Sequence, residues 1–205
     1  MDGNLNATTN ASYMNGDARG TIFVFSAPSG AGKTTILRHL METVPGLVYS
    51  ISATTRPPRP GERDGVDYFF LQREEFERMS GAGAFAEWQE VHGNLYGTPR
   101  SSIDRTIAGG RHVIMDIDVY GKKKFDTVYP RATGILIVPP SLEVLRQRLE
   151  ARGTETAHTL ALRLRNAKDE LAFARSQGNY AYTIVNDTLD RACSETVELV
   201  RRCIP

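Results

Sequence analysis

The sequence predicts an α/β fold with a parallel central sheet flanked by helices, and three observations carry that prediction. Short apolar runs rich in β-formers recur along the chain. Segments with apolar residues at helical spacing separate them, and the first run leads into a Gly-rich turn that opens a helix. Strands and helices alternating in this way wind into a parallel sheet, because each helical crossover returns the chain to the same end of the sheet.

Taken in order, Thr21-Ile22-Phe23-Val24-Phe25 is continuously apolar rather than alternating, the pattern of a strand covered on both faces. Beyond the Gly-rich turn, Thr34 to Met41 places Ile36, Leu37 and Leu40 on one helical stripe. The region from about Ser50 to Gly97 breaks the alternation, being rich in Pro, Gly, Arg and aromatics, with one extended piece at Tyr68-Phe69-Phe70-Leu71. It reads as an insertion that holds a second substrate over the turn. Arg111 to Asp118 and Gly134 to Val138 read as further buried strands, the latter stopped by Pro139, and Tyr182 to Val185 as a late one. Helical stripes follow: Leu142, Leu145 and Leu149 after Ser141; Leu160, Leu164, Ala167 and Leu171; and finally Cys193, Val197, Val200 and Ile204.

A chain of 205 residues supports one hydrophobic core, so residues 20–205 are expected to form a single domain. Residues 1–19, rich in Asn, Gly, Thr, Ser and Ala without periodicity, read as a disordered leader. With 40% hydrophobic and 24% charged residues the composition is that of a globular protein. A formal net charge of +1 draws the chain to neither nucleic acid nor an anionic membrane, and no apolar run is long enough to span one. A cytoplasmic protein is expected. Cys193 and Cys203 fall in one apolar-periodic segment that reads as a helix, where ten residues separate them by roughly 15 Å, too far for a disulfide. Lys122, Lys123 and Lys124 read as a solvated face.

The strongest local signal is Ala27-Pro28-Ser29-Gly30-Ala31-Gly32-Lys33-Thr34-Thr35, set between a strand and a helix as a P-loop requires. Backbone N–H groups at the helix N-terminus would wrap a phosphate, Lys33 would neutralise its oxygens and the Thr34 hydroxyl would take Mg²⁺. The usual first glycine of the motif is Ala27 here, which fits if that residue keeps φ negative. A P-loop alone leaves kinases, GTPases, ATPase motors and translocases open. In the inserted region, Thr54-Thr55-Arg56-Pro57-Pro58-Arg59-Pro60-Gly61-Glu62 sets two arginines three apart in a Pro-stiffened loop, either a phosphate clamp or a polyproline-like surface loop. Asp116 and Asp118 alternate at a strand end, which aims both side chains over the carboxyl edge where open α/β sheets bind ligands.

In order and spacing, SAPSGAGKTT, SISATTRPPRPGERDGVDYFF, FAEWQEVHGNLYGT, VIMDID, LEARGTET and TIVND resemble the guanylate kinase family, over about Thr21 to Pro205. The resemblance implies a P-loop NTPase fold with a GMP-binding insertion at about 50–97 and a helical lid at about 141–176. It implies that Arg56, Arg59, Tyr68 and Tyr96 hold the GMP phosphate, with Thr98 in a place where some relatives carry Ser. Ser52, Glu87 and Asp118 match its guanine readers; Asp116 goes to the Mg²⁺ shell or the same base. Lys33, Arg148, Arg152 and Arg163 match groups that act on the transferring phosphoryl, and Asn186 and Asp187 the loop beside adenine. The implied reaction moves the γ-phosphoryl of ATP to GMP, with dGMP as a second acceptor, Mg²⁺ as cofactor, no nucleic-acid or membrane partner, and a monomer or small homo-oligomer. The alternatives are a catalytically inactive interaction module of the same fold and a P-loop kinase for another monophosphate.

Overall fold

The computed structural model describes residues 20–91, 93–151, 153 and 156–205. The expected leader and Arg152 lie outside the described residues. The first half runs β1 (Ile22–Ser26), α1 (Lys33–Thr43), β2 (Leu47–Tyr49), β3 (Ala53–Thr54), β4 (Phe69–Phe70), α2 (Arg73–Gly81), β5 (Phe85–Val91) and β6 (Asn94–Pro99). The second half runs α3 (Arg100–Ala108), β7 (His112–Asp116), α4 (Val119–Val128), β8 (Thr133–Val138), α5 (Leu142–Ala151), α6 (Ala157–Gln177), β9 (Tyr182–Val185) and α7 (Leu189–Cys203).

The continuous apolarity of β1 is explained by its place in the middle of a five-stranded sheet of order β2-β7-β1-β8-β9, in which every pair is parallel. Side chains of β1 alternate between two cores. Phe23 and Phe25 join Ile36, Leu40, Ile135, Val197 and Val200 under α1 and α7. Ile22 and Val24 join Ile103, Val113, Met115 and Phe125 under α3 and α4. Each fully buried side chain of this size contributes about 1.5–3 kcal/mol relative to exposure, so both layers are held firmly to the central strand. Because the strands are parallel, their carboxyl ends share one edge. The turn after β1, the Asp116–Asp118 segment after β7 and Asn186 after β9 all arrive there.

The inserted region is a second sheet, of order β4-β3-β6-β5, with its own small core of Ala53, Phe76, Phe85 and Leu95. Phe76 stacks on Phe85 with ring centroids 4.3 Å apart. Of this sheet the sequence predicts only β4. The β5–β6 ribbon is antiparallel with a register shift between Phe85 and Glu87, an irregularity that re-aims side chains beside a site.

Two expectations are corrected. Asp118 is not a strand residue: β7 ends at Asp116, and Asp118 caps α4, its Oδ1 accepting from the backbone N–H groups of Tyr120 (2.9 Å) and Gly121 (2.7 Å). An aspartate at this position satisfies donors that the first helical turn cannot. Nor is Lys122 solvated. Its side chain is 0% exposed, paired with Asp126 and donating to the Asn179 carbonyl at 3.1 Å, with the Tyr180 ring 5.0 Å away. The turn it reaches holds Asn179 at φ 42°, left-handed backbone just after α6.

Candidate active site

The phosphate cradle is shaped by the chain leaving β1. Gly30 and Gly32 both sit at φ 92°, where any side chain is strained. Space also demands glycine: a Cβ on Gly30 would press on Leu145 and Leu149, and one on Gly32 would collide with the Asn186 amide. Ala27 is not among the residues at positive φ, so the absence of the motif's first glycine costs no backbone strain. Ala27 to Gly30 and Gly32 to Thr35 line one cleft together with Glu170 of α6; Ala31 is buried behind it. Lys33 is the first residue of α1, so the cleft lies at a helix N-terminus, where anions are favoured.

Two of the sequence-identified arginines reach this edge. Arg163 of α6 donates to Ser29 Oγ at 3.2 Å. Arg148 of α5 donates to the carbonyls of Asn186 (2.9 Å) and Asp187 (3.1 Å). The Asn186 side chain, expected beside adenine, is 3% exposed and donates to the Ala31 carbonyl at 2.8 Å. It therefore braces the P-loop from behind, and only its main chain meets Arg148.

Across the shared edge stands the second sheet, and between them lies a cleft of about 260 Å³ lined by Ser52, Tyr68, Glu87, Tyr96, Asp116 and Asp118 among others. Lys33 joins the two clefts, its Nζ lying 3.4 Å from Asp116 Oδ2. Tyr68 and Tyr96 meet edge to face at 6.2 Å, and the Arg56 guanidinium lies 5.5 Å from the Tyr68 ring centre. Arg56 forks onto Glu62 with two 2.9 Å hydrogen bonds, and Glu62 also accepts from the Arg59 backbone N–H at 2.7 Å. This clamp turns the Pro-rich loop back on itself and presets the guanidinium beside the two phenols. The Arg59 side chain remains on the exposed part of the loop.

Glu87 is 7% exposed and accepts from Thr98 Oγ1 at 2.6 Å, an arrangement set by their direct pairing across β5 and β6. Burial raises its pKa above the usual carboxylate range, and nearby Asp118 adds to the rise while the Thr98 hydrogen bond opposes it. Tyr49, which sequence reasoning missed, also lines the cleft. Gln89, Glu62 and Glu170 were missed as well. For Gln89 the signal was its i, i+2 spacing from Glu87, readable only once this segment is known to be a strand.

A model of the guanylate kinase family matches residues 19–202. The guanylate kinase of Symbiobacterium thermophilum is 48% identical over 177 residues, 86% of this chain and 82% of that one. That of Rubrobacter xylanophilus is 45% identical over 91% of this chain and 96% of its own. The chain belongs to the guanylate kinase family. Among solved structures, the guanylate kinase of Anaplasma phagocytophilum superposes with a TM-score of 0.68 at 32% identity, covering 92% of this chain and 88% of that one. The guanylate kinase fold is thus common to both, parallel P-loop sheet included, and the motif resemblance and the family match span nearly the same residues.

Proposed function

We propose that this chain is an active guanylate kinase, an ATP:GMP phosphotransferase that yields ADP and GDP. The observation that carries the reading is the junction of two clefts at Lys33 and Asp116: a P-loop cradle on one side, and on the other a cleft bearing a buried glutamate, an aspartate and an arginine–tyrosine cluster. The P-loop backbone and Lys33 receive the β- and γ-phosphates of ATP. Arg56 and Arg59, with the hydroxyls of Tyr68 and Tyr96, receive the GMP phosphate.

The base is read by the hydrogen-bond demand of buried groups. Guanine offers N1–H and N2–H donors to the carboxylates of Glu87 and Asp118, and its O6 accepts from Ser52. Thr98 serves the base indirectly, by holding Glu87 in place. The roles assigned here fall on the base and the phosphate and none on a ribose 2′-hydroxyl, so dGMP is proposed as a second acceptor.

The donor set also suits Mg²⁺, which with nucleotide phosphates needs only one or two protein oxygens: Thr34 beside Lys33 on the cradle and the Asp116 carboxylate would hold it. When bound it neutralises phosphate charge. The acceptor oxygen of GMP is already anionic near neutral pH, so the side chains need no general base. Their work is in-line positioning and charge neutralisation by Lys33, Arg148 and Arg163. Water is a competing nucleophile, so the second sheet and the α5–α6 lid close over the core when both nucleotides are present.

No helix among the described residues is long and apolar enough to cross a membrane; we place the protein in the cytoplasm, as a monomer or small homo-oligomer. The test is a coupled ADP-release assay with Mg·ATP and a panel of GMP, dGMP, AMP and dTMP. GMP, and more weakly dGMP, should be turned over; turnover of none of them, or preference for another monophosphate, overturns the reading.

A further inference from the structure

Gln89 stands two residues beyond Glu87 on β5, directly opposite Tyr96 on β6, and lines the same cleft as Ser52, Glu87 and Asp118. Its Nε2 donates to Asp118 Oδ2. This contact spans the cleft from the second sheet to the core, and it settles which way the amide faces. An ionised aspartate only accepts, so the nitrogen must point to Asp118, which leaves the amide oxygen free of that contact as an acceptor.

The oxygens available to a guanine edge can be counted. Asp118 Oδ1 already accepts two bonds, from the N–H groups of Tyr120 and Gly121, and Glu87 Oε1 accepts one, from Thr98. Glu87 Oε2 and Asp118 Oδ2 are the less engaged oxygens, the latter already accepting from Gln89. Guanine brings three N–H bonds on its N1 and N2 positions. The Gln89 amide, tethered to Asp118 at the wall of the same cleft, adds an uncharged acceptor oxygen to this set, and the 2-amino group carries the N–H bonds that it could take.

We propose that Gln89 is a specificity-determining residue that accepts a hydrogen bond from the guanine 2-amino group, with Asp118 holding its amide in the required orientation. The proposal rests on the reading of Glu87 and Asp118 as base readers, and its test separates the two. Inosine monophosphate keeps O6 and N1–H but lacks the 2-amino group, so it is blind to the Gln89 bond.

The experiment measures kcat and KM for GMP, IMP and AMP in wild type, Gln89→Ala, Gln89→Leu and Glu87→Gln, with thermal melts to establish folding. Loss of one net hydrogen bond should raise KM for GMP by about fivefold to tenfold in both Gln89 variants, with the change falling on KM more than on kcat. The GMP-to-IMP ratio of kcat/KM should fall by a similar factor. Gln89→Leu keeps the side-chain volume, so a shared effect in both variants assigns the loss to the amide and not to packing. An unchanged GMP-to-IMP ratio, or a lower KM for GMP, overturns the role of Gln89. If in that case Glu87→Gln still lowers the GMP-to-AMP ratio, the base site stands without Gln89; if it does not, both readings fall.

Discussion

The Asp116 carboxylate lies 3.4 Å from the Lys33 ammonium, so the end of β7 holds the cation that opens α1. Both side chains are partly exposed, 19% for Lys33 and 31% for Asp116, and a pair in contact with water contributes at most about 1 kcal/mol. Lys33→Ala should therefore melt within a few degrees of wild type while kcat falls by about 10²- to 10³-fold, as when one charge-stabilising group is removed from a transition state. Steady-state kinetics alongside thermal melts make the measurement. Near-normal GMP phosphorylation by the folded variant would sink the P-loop assignment.

The two sets of arginines should fail in different ways. Arg56 is preset by its fork onto Glu62 and, in the proposed reading, meets a phosphate that is present throughout the cycle. Arg56→Ala should raise KM for GMP by at least about tenfold, with a smaller change in kcat. Arg163, on α6 against Ser29 of the P-loop, is proposed to engage charge that peaks as the phosphoryl moves, so Arg163→Ala should lower kcat by about tenfold or more with KM for GMP little changed. The reverse pattern would mean that the acceptor and lid roles are exchanged.

Much of the core was legible because its signals are local. A β-rich apolar run, a Gly-Lys-Thr turn and an Ile36–Leu37–Leu40 stripe each fit within a dozen residues, and the buried β1 and α1 follow. The second sheet was not legible in the same way. Its strands β3 and β4 are two residues each, and β5 pairs with β6 through a shifted register that hides strict alternation. Its aromatic and polar residues matched family motifs, which supplied roles but not geometry. The Asp118 miss has a physical cause: an Asp-X-Asp pattern is the same whether the second aspartate ends a strand or caps a helix, and the choice depends on where the sheet stops. Lys122 was hidden because three successive lysines share no helical face, so one can be buried while its neighbours remain solvated.

That burial makes a prediction of its own. Lys122 is fully enclosed, whereas the Asp126 side chain keeps 15% exposure, so the two halves of the pair are not equivalent. Asp126→Asn leaves an enclosed ammonium short of its counter-charge and should cost about 3 kcal/mol or more, a fall in Tm of roughly 6–12 °C for a chain of this size. Lys122→Met removes the enclosed charge and leaves an aspartate that water can reach, so it should cost less. Equal Tm changes in the two variants would show that the burial of Lys122 carries no such penalty.

Glu87 predicts how the reaction depends on pH. Burial is the largest influence on its carboxyl and raises the pKa, and the proposed base reading needs the ionised form. The efficiency for GMP should therefore decline on acidification at a pH above the ordinary carboxylate range, and Glu87→Gln should lose that decline along with much of its selectivity. The GMP phosphate titrates in a neighbouring range, but it does so equally for both proteins, so the difference between their profiles from about pH 5 to about pH 8 isolates Glu87. Removing the Thr98 hydrogen bond, which favours the charged form, should move the limb further up in Thr98→Val. Stability should run the other way. A carboxyl whose pKa is higher folded than unfolded binds its proton more tightly in the folded state, so its contribution is most favourable below the unfolded pKa and is lost as pH rises through the folded one. Glu87→Gln, which carries no charge to bury, should then be more stable than wild type near neutral pH, by an amount that shrinks as the solution is acidified. Denaturant unfolding of both proteins across the same pH range measures this. A stability difference that grows toward acid would mean that the buried carboxylate stabilises the fold, and that its environment favours the charge instead of opposing it.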